Sequence, residues 1–201
     1  MNENQKFSVP KSIVWLFIIL GGVQLIREIL PPASDAALVF FLSFSNFQEG
    51  IFNVSTFHGV VTHILIHSGW WHLLANCTWI IVIGPRVFPY LGGPRFFVFF
   101  FATGIVGACV HAVLNWGANE LLIGASGSVF GLLGAGAFVL VRGRDGVSRP
   151  NGRDIAQYVL LIMIVNVGYA ILSPGNVSWE AHAGGFLAGL IFYPFMRRKP
   201  F

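Results

Sequence analysis

Apolar residues run through this chain in six blocks, each close to the roughly 20 residues that a helix needs to cross a bilayer. The blocks fall at about 12–30, 70–90, 95–116, 122–142, 155–173 and 179–196. Pro, Gly and charge punctuate them, as at Pro31-Pro32, Gly92-Gly93-Pro94 and the stretch Arg142 to Arg153. The pattern predicts an all-α membrane protein with six transmembrane helices. Residues 31–69 form a long first loop, apolar but too broken for a clean span. Within it LVFFLSFSNF, residues 38–47, is expected to lie along the membrane surface or dip into the interface. No repeat or low-complexity tail interrupts the chain, so residues 1–201 read as a single transmembrane domain. Lys6 and Lys11 ahead of the first block imitate a signal peptide. The apolar run from Ser12 to Ile26 sits at the upper limit for one and no A-x-A site follows, so a retained helix is expected.

Composition agrees with the pattern. Hydrophobic residues make up 55% of the chain and charged residues 10%, against about 25% charged in soluble domains. The mean hydropathy is +0.73. Twenty Phe and 24 Gly suit a lipid-embedded bundle with close helix contacts. The net charge of +4 is too sparse to suggest nucleic acid. Its placement is informative instead. Lys6, Lys11, Arg86, Arg95, Arg142, Arg144, Arg149, Arg153, Arg197, Arg198 and Lys199 fall on one side of a six-span bundle. The opposite loops, 31–69, 117–121 and 174–178, hold no Lys or Arg. The positive-inside rule then puts both termini in the cytoplasm, with the cell (inner) membrane as the expected location. Arg27, beside Glu28, is the exception. Cys77 and Cys109 lie in apolar runs without CxxC spacing and read as buried thiols.

Polar side chains at membrane depth are costly, and so are functional candidates. None of the eight acidic residues falls in the middle of a block. This argues against a carboxylate proton relay and against an aspartyl intramembrane protease. No HExxH occurs, so a zinc protease of that type lacks its ligands. What remains is Ser126, His72, Asn76, His111, Asn166 and His182, with His63 and His67 just before the second span.

The topology groups some of them. Spans two, four and six begin on the outer side, and His72, Ser126 and His182 sit near the start of each. At about 1.5 Å per residue they share a shallow depth. Asn76 lies one turn below His72 and about 40° round the helix. The chemistry that needs this set is acyl transfer. A Ser hydroxyl needs a base to become a nucleophile, and His182 is the best-placed base. An oxyanion needs preset donors, which His72, Asn76 and the Ser126 backbone N–H supply. No acidic residue shares that depth, so a Ser–His dyad is expected, with Glu180 near the surface. Gly127, Gly131, Gly134 and Ala135 form a small-residue face on span four. Gly185 and Gly189 stand in GxxxG spacing on span six, allowing the close approach that a Ser–His pair across two helices requires. His67 and His63 read as loop hydrogen-bonding residues, and His111 and Asn166 as interhelical ones. Ser128, about 200° round from Ser126, should face away. A metal site from His63, His67 and His72 has diverging directions and no carboxylate, so neither metal nor cofactor is expected.

Three motifs resemble those of the rhomboid intramembrane serine proteases. His67-Ser-Gly-Trp-Trp-His72-Leu-Leu-Ala-Asn76 is similar to their HxxxxHxxxN signature and Gly124-Ala-Ser126-Gly127 to their GxSG motif. Ala181-His182-Ala-Gly-Gly185 with Gly189 is similar to their AHxxGxxxG motif. The three occur in family order, and the resemblance covers residues 58–190. It implies a rhomboid-like bundle with a partly membrane-embedded first loop. It also implies Ser126 as nucleophile, His182 as base, and His72 and Asn76 as oxyanion donors. Gly124 would admit the loop into the active helix, and an aromatic four residues after the Ser, here Phe130, would stack on the His. The implied partners are transmembrane segments of membrane-protein substrates within the lipid bilayer. Many members carry a Trp-Arg pair where this chain has His58 and Gly59. The alternatives are a rhomboid-like non-enzyme that binds or escorts transmembrane helices, and a small transporter. The first usually lacks the Ser or His, and the second is disfavoured by the absence of buried charge and repeats.

Overall fold

The computed structural model describes residues 9–45, 57–116, 118, 120–142, 151–172 and 177–198, with the side chains of Arg142 and Leu172 left aside. Lys6, Arg144, Arg149, Lys199 and the end of the 38–47 segment lie outside the described residues. Among the described residues the architecture is all-helical apart from one pair of two-residue strands.

Helix α1, Lys11–Ile29, ends where Leu30 and Pro31, each followed by a proline, turn extended. Pro32 then opens α2, Pro32–Leu42, where a missing N–H costs nothing. Strand β1, Phe44–Ser45, follows. Further on, α3, Gly59–Thr62, runs into a 3₁₀ turn, His63–Leu65. Helices α4, Trp70–Leu91, and α5, Gly93–Leu114, are joined by Gly92 at φ 73°, a left-handed conformation that favours glycine. Strand β2, Leu121–Leu122, precedes α6, Ser126–Arg142. Helices α7, Gly152–Leu172, and α8, Trp179–Met196, follow. The Ser178 side chain caps α8 by accepting from Ala181 N–H at 3.2 Å.

Among the described residues, four helices are long and apolar enough to cross a membrane: Lys11–Ile29, Trp70–Leu91, Gly93–Leu114 and Gly152–Ile171. The start of the expected span at 122–142 needs correction, and the 38–47 segment is not one element. The helix of the fourth block starts at Ser126, because Leu121 and Leu122 pair with Ser45 and Phe44 as strands and Gly124 adopts φ 107°, which leaves Ser126–Val141 among the shorter apolar helices. The 38–47 segment splits at Ser43, with the end of α2 before it and β1 after.

Helix α6 is the central element, every residue from Gly127 to Ala135 being buried. The main core joins Ile13, Leu16 and Leu20 of α1 with Ile80 and Ile83 of α4 and Phe96, Phe99 and Phe100 of α5. Of the four long apolar helices, α5 is the most covered and α7 the least. Its few inward residues, Val165 and Tyr169 among them, therefore carry its attachment.

Arg27, the odd cation of the charge pattern, has a structural use. It bonds both carboxylate oxygens of Asp35 on α2, at 2.7 and 3.1 Å, and donates to the His67 carbonyl. One fork thus ties α1, α2 and the segment entering α4 together. The guanidinium holds the Asp35 carboxyl below its ordinary value of 3.8. The stabilisation is therefore complete above that value and is lost as pH falls through the lowered folded one. Thermal unfolding in detergent is expected to show wild type and Arg27→Met converging as the pH drops below about 4, with the wild type more stable above it. His58 and Gly59, in the place of the Trp-Arg pair, tie α3 to α2. The His58 ring bonds the Phe41 carbonyl and packs on Phe41 at 4.3 Å, and Gly59 abuts Ser43 and Phe44 too closely to admit a side chain.

Candidate active site

The turn into α6 is held from outside the helix. Gly124 N–H donates to the His63 carbonyl at 2.9 Å, and Ala125 N–H donates to His67 Nε2 at 3.4 Å. These bonds, with the β1–β2 pairing, fix the Gly124-Ala125 turn and so the position of Ser126. Gly124 is required twice over: its φ is 107°, and an added Cβ would lie 2.7 Å from the His72 ring. Ser126 is the first residue of α6, so its N–H is among those without an intrahelical partner and points out of the positive end of the helix.

His72 stands on the first turn of α4, buried, with its Nε2 edge against Gly124. Its Nδ1 receives the Ser68 backbone N–H at 3.4 Å and lies 3.2 Å from Ser68 Oγ. A backbone N–H only donates, so Nδ1 accepts and the neutral ring carries its proton on Nε2. Asn76 is oriented with the same logic. Its Nδ2 donates to the His72 carbonyl at 2.9 Å, and Tyr169 of α7 donates to its Oδ1 at 2.9 Å. The amide keeps a second Nδ2 hydrogen beyond these bonds.

Helices α6 and α8 meet backbone to backbone. A Cβ on Gly185 would collide with the Gly127 carbonyl, and one on Gly189 with the Gly131 carbonyl. Gly131 itself faces Thr103 of α5, and Gly134 faces Phe186 of α8. The small-residue face of α6 is thus shared between two neighbours. This contact sets the first turn of α8 beside the first turn of α6. The His182 ring lies flat on Phe130, centroids 4.2 Å apart and planes 9° from parallel. Phe130 is one helical turn from Ser126 on the same face. His182 Nδ1 pairs with Asn166 Oδ1 at 3.2 Å. Among the described residues no hydrogen bond joins Ser126 Oγ to His182.

The other polar candidates settle elsewhere. His111 Nδ1 lies 2.7 Å from Ser178 Oγ, which also bonds Glu180 at 3.1 Å. Glu180 is thereby drawn to His111 on α5 and the cap of α8. Ser128 is fully buried, packed where Gly104 of α5 leaves room. No group of three metal-ligating side chains occurs among the described residues. Sequence reasoning missed Tyr169 and Ser68 as site neighbours. Tyr169 falls three residues after Asn166 in the apolar second half of α7, a spacing that puts both on one face.

A rhomboid domain model matches residues 54–199. RHOMBOID-like protein 5 of Arabidopsis thaliana is 31% identical over 130 residues, which is 65% of this chain and 41% of that protein. Rhomboid protease GluP of Bacillus subtilis (strain 168) is 31% identical over 130 residues, 65% of this chain and 24% of that protein. Rhomboid-like protease 3 of Toxoplasma gondii is 28% identical over 196 residues, 91% of this chain and 68% of that protein. The matched segment spans less than half the length of the first two relatives. With most of its length under one family model, this chain belongs to the rhomboid family.

Proposed function

We propose that this protein is an intramembrane serine protease acting as a single domain on peptide bonds in or near transmembrane segments. Its spans are α1, α4, α5, α6, α7 and α8, with both termini cytoplasmic in the cell membrane and the first turns of α4, α6 and α8 near the outer face. The observation that carries this reading is the α6–α8 contact, with His182 lying on Phe130 one turn from Ser126.

Ser126 Oγ attacks the scissile carbonyl carbon while His182 Nε2 takes its proton. The tetrahedral oxyanion receives hydrogen bonds from His72 Nε2–H, Asn76 Nδ2–H and the Ser126 N–H. Collapse breaks the C–N bond, with the imidazolium giving its proton to the leaving amine. Water, activated by the same imidazole, then hydrolyses the ester on Ser126.

Reconstitution with a single-span substrate in proteoliposomes tests the proposal. Cleavage near the outer end of the substrate helix is expected. An intact substrate that co-purifies with the wild type would favour the helix-binding non-enzyme. Asn76→Ala is expected to lower kcat about 100-fold with KM little changed. Tyr169→Phe removes only the bond that orients Asn76, so a loss of about 2- to 10-fold is expected in the same assay.

A further inference from the structure

We propose that Asn166 is a positioning residue for His182, holding the ring with its proton on Nδ1 and its lone pair on Nε2. The inference rests on the reading of Ser126 and His182 as the reacting pair. Asn166 Nδ2 donates to the Ile162 carbonyl one turn back on α7, at 3.1 Å. A carbonyl only accepts, so this bond fixes which end of the amide faces His182. That end is Oδ1, 3.2 Å from His182 Nδ1. Oδ1 also only accepts, so Nδ1 must donate, and in the neutral ring Nε2 is left bare. A neutral histidine in water samples both tautomers. The other one presents an N–H to Ser126 and cannot take its proton.

Two contacts together define the ring. Phe130 sets its plane, and Asn166 sets its rotation within that plane. Both lie on the wall of a mainly apolar cavity of about 370 Å³, lined also by Ile162, Trp179 and Phe186, where few polar groups compete for the bond. His72 shows the opposite arrangement, with Ser68 donating to Nδ1 and the proton left on Nε2. The two site histidines are thus set to complementary states by their neighbours, one to donate to an oxyanion and one to accept from a hydroxyl. Asn166 and Tyr169, three residues apart on α7, reach the two halves of the site from one face.

The test uses the full chain in detergent with ¹⁵N-labelled histidine. In the wild type, His182 is expected to show a protonated Nδ1 and a bare Nε2, and His72 the reverse. Asn166→Leu should mix the two forms at His182 alone and lower kcat about 10- to 100-fold with KM within about twofold. Asn166→Asp keeps an oxygen acceptor in either protonation state and should recover most of kcat. A proton on Nε2 of His182 in the wild type, or wild-type kcat in Asn166→Leu, would overturn the inference. The nitrogen shifts need no variant, so a Leu variant that misfolds leaves the test intact. A wild type that neither cleaves nor reacts with a phosphonate would sink the protease reading, while the tautomer of His182 would still decide the role of Asn166.

Discussion

Replacing Ser126 with alanine is expected to lower kcat on a single-span substrate by about 10⁴-fold or more and leave the fold in place. Ser126 begins α6 and is only partly buried, and its position is held by backbone bonds from Gly124 and Ala125 to the His63–His67 segment. Its hydroxyl is therefore not part of the packing, and thermal unfolding should move by less than about 1 kcal/mol. Ser128 supplies the internal comparison. Its Oγ is buried without a hydrogen-bond partner, so Ser128→Ala removes an unsatisfied hydroxyl and is expected to keep activity while holding or raising stability. Cleavage in proteoliposomes, read beside unfolding in detergent, separates the two serines.

Gly185→Val is expected to damage activity and stability together. The smallest added atom already collides with the Gly127 carbonyl. The obstacle is backbone inside a central helix, which cannot rotate away as a side chain would. Helix α8 must move outward, taking His182 from its seat on Phe130 and from Ser126. A destabilisation of about 3 kcal/mol or more is expected, with kcat falling at least about 100-fold from misplacement alone. Gly127→Ala provides the contrast, because its Cβ would meet the Ala181 carbonyl at an ordinary 3.5 Å. That variant should fold and retain most activity. Unfolding temperature and cleavage rate measured on both variants would show whether backbone approach, rather than small residues in general, brings the site together.

Much of this arrangement was legible in the chain itself. Apolar blocks and breaks located the long helices to within a few residues, because a membrane span needs length and composition more than any single residue. The GxxxG spacing of Gly185 and Gly189 pointed to close packing on α8, since small residues at that period line one face. The start of α6 was less legible. Leu121 and Leu122 are as apolar as a helix, and their pairing with Phe44 and Ser45 depends on a segment some 75 residues earlier. Arg27 looked like an exception to the charge rule for the same reason: its partners, Asp35 and the His67 carbonyl, are brought to it by folding. Asn166 was visible as a polar residue in an apolar helix, but hydropathy assigns depth and not partners. Which of several facing helices it would address emerged only from the packing of α7 against α4 and α6, which brings Asn166 to His182.

In the proposed mechanism Ser126 is a nucleophile activated by His182. Labelling the native chain with a fluorophosphonate, followed by peptide mapping, tests it directly. One phosphonate is expected, on Ser126, with labelling slowed by orders of magnitude in His182→Ala and unchanged in Ser128→Ala. A label on another residue, or one on Ser126 at the same rate without His182, would contradict it.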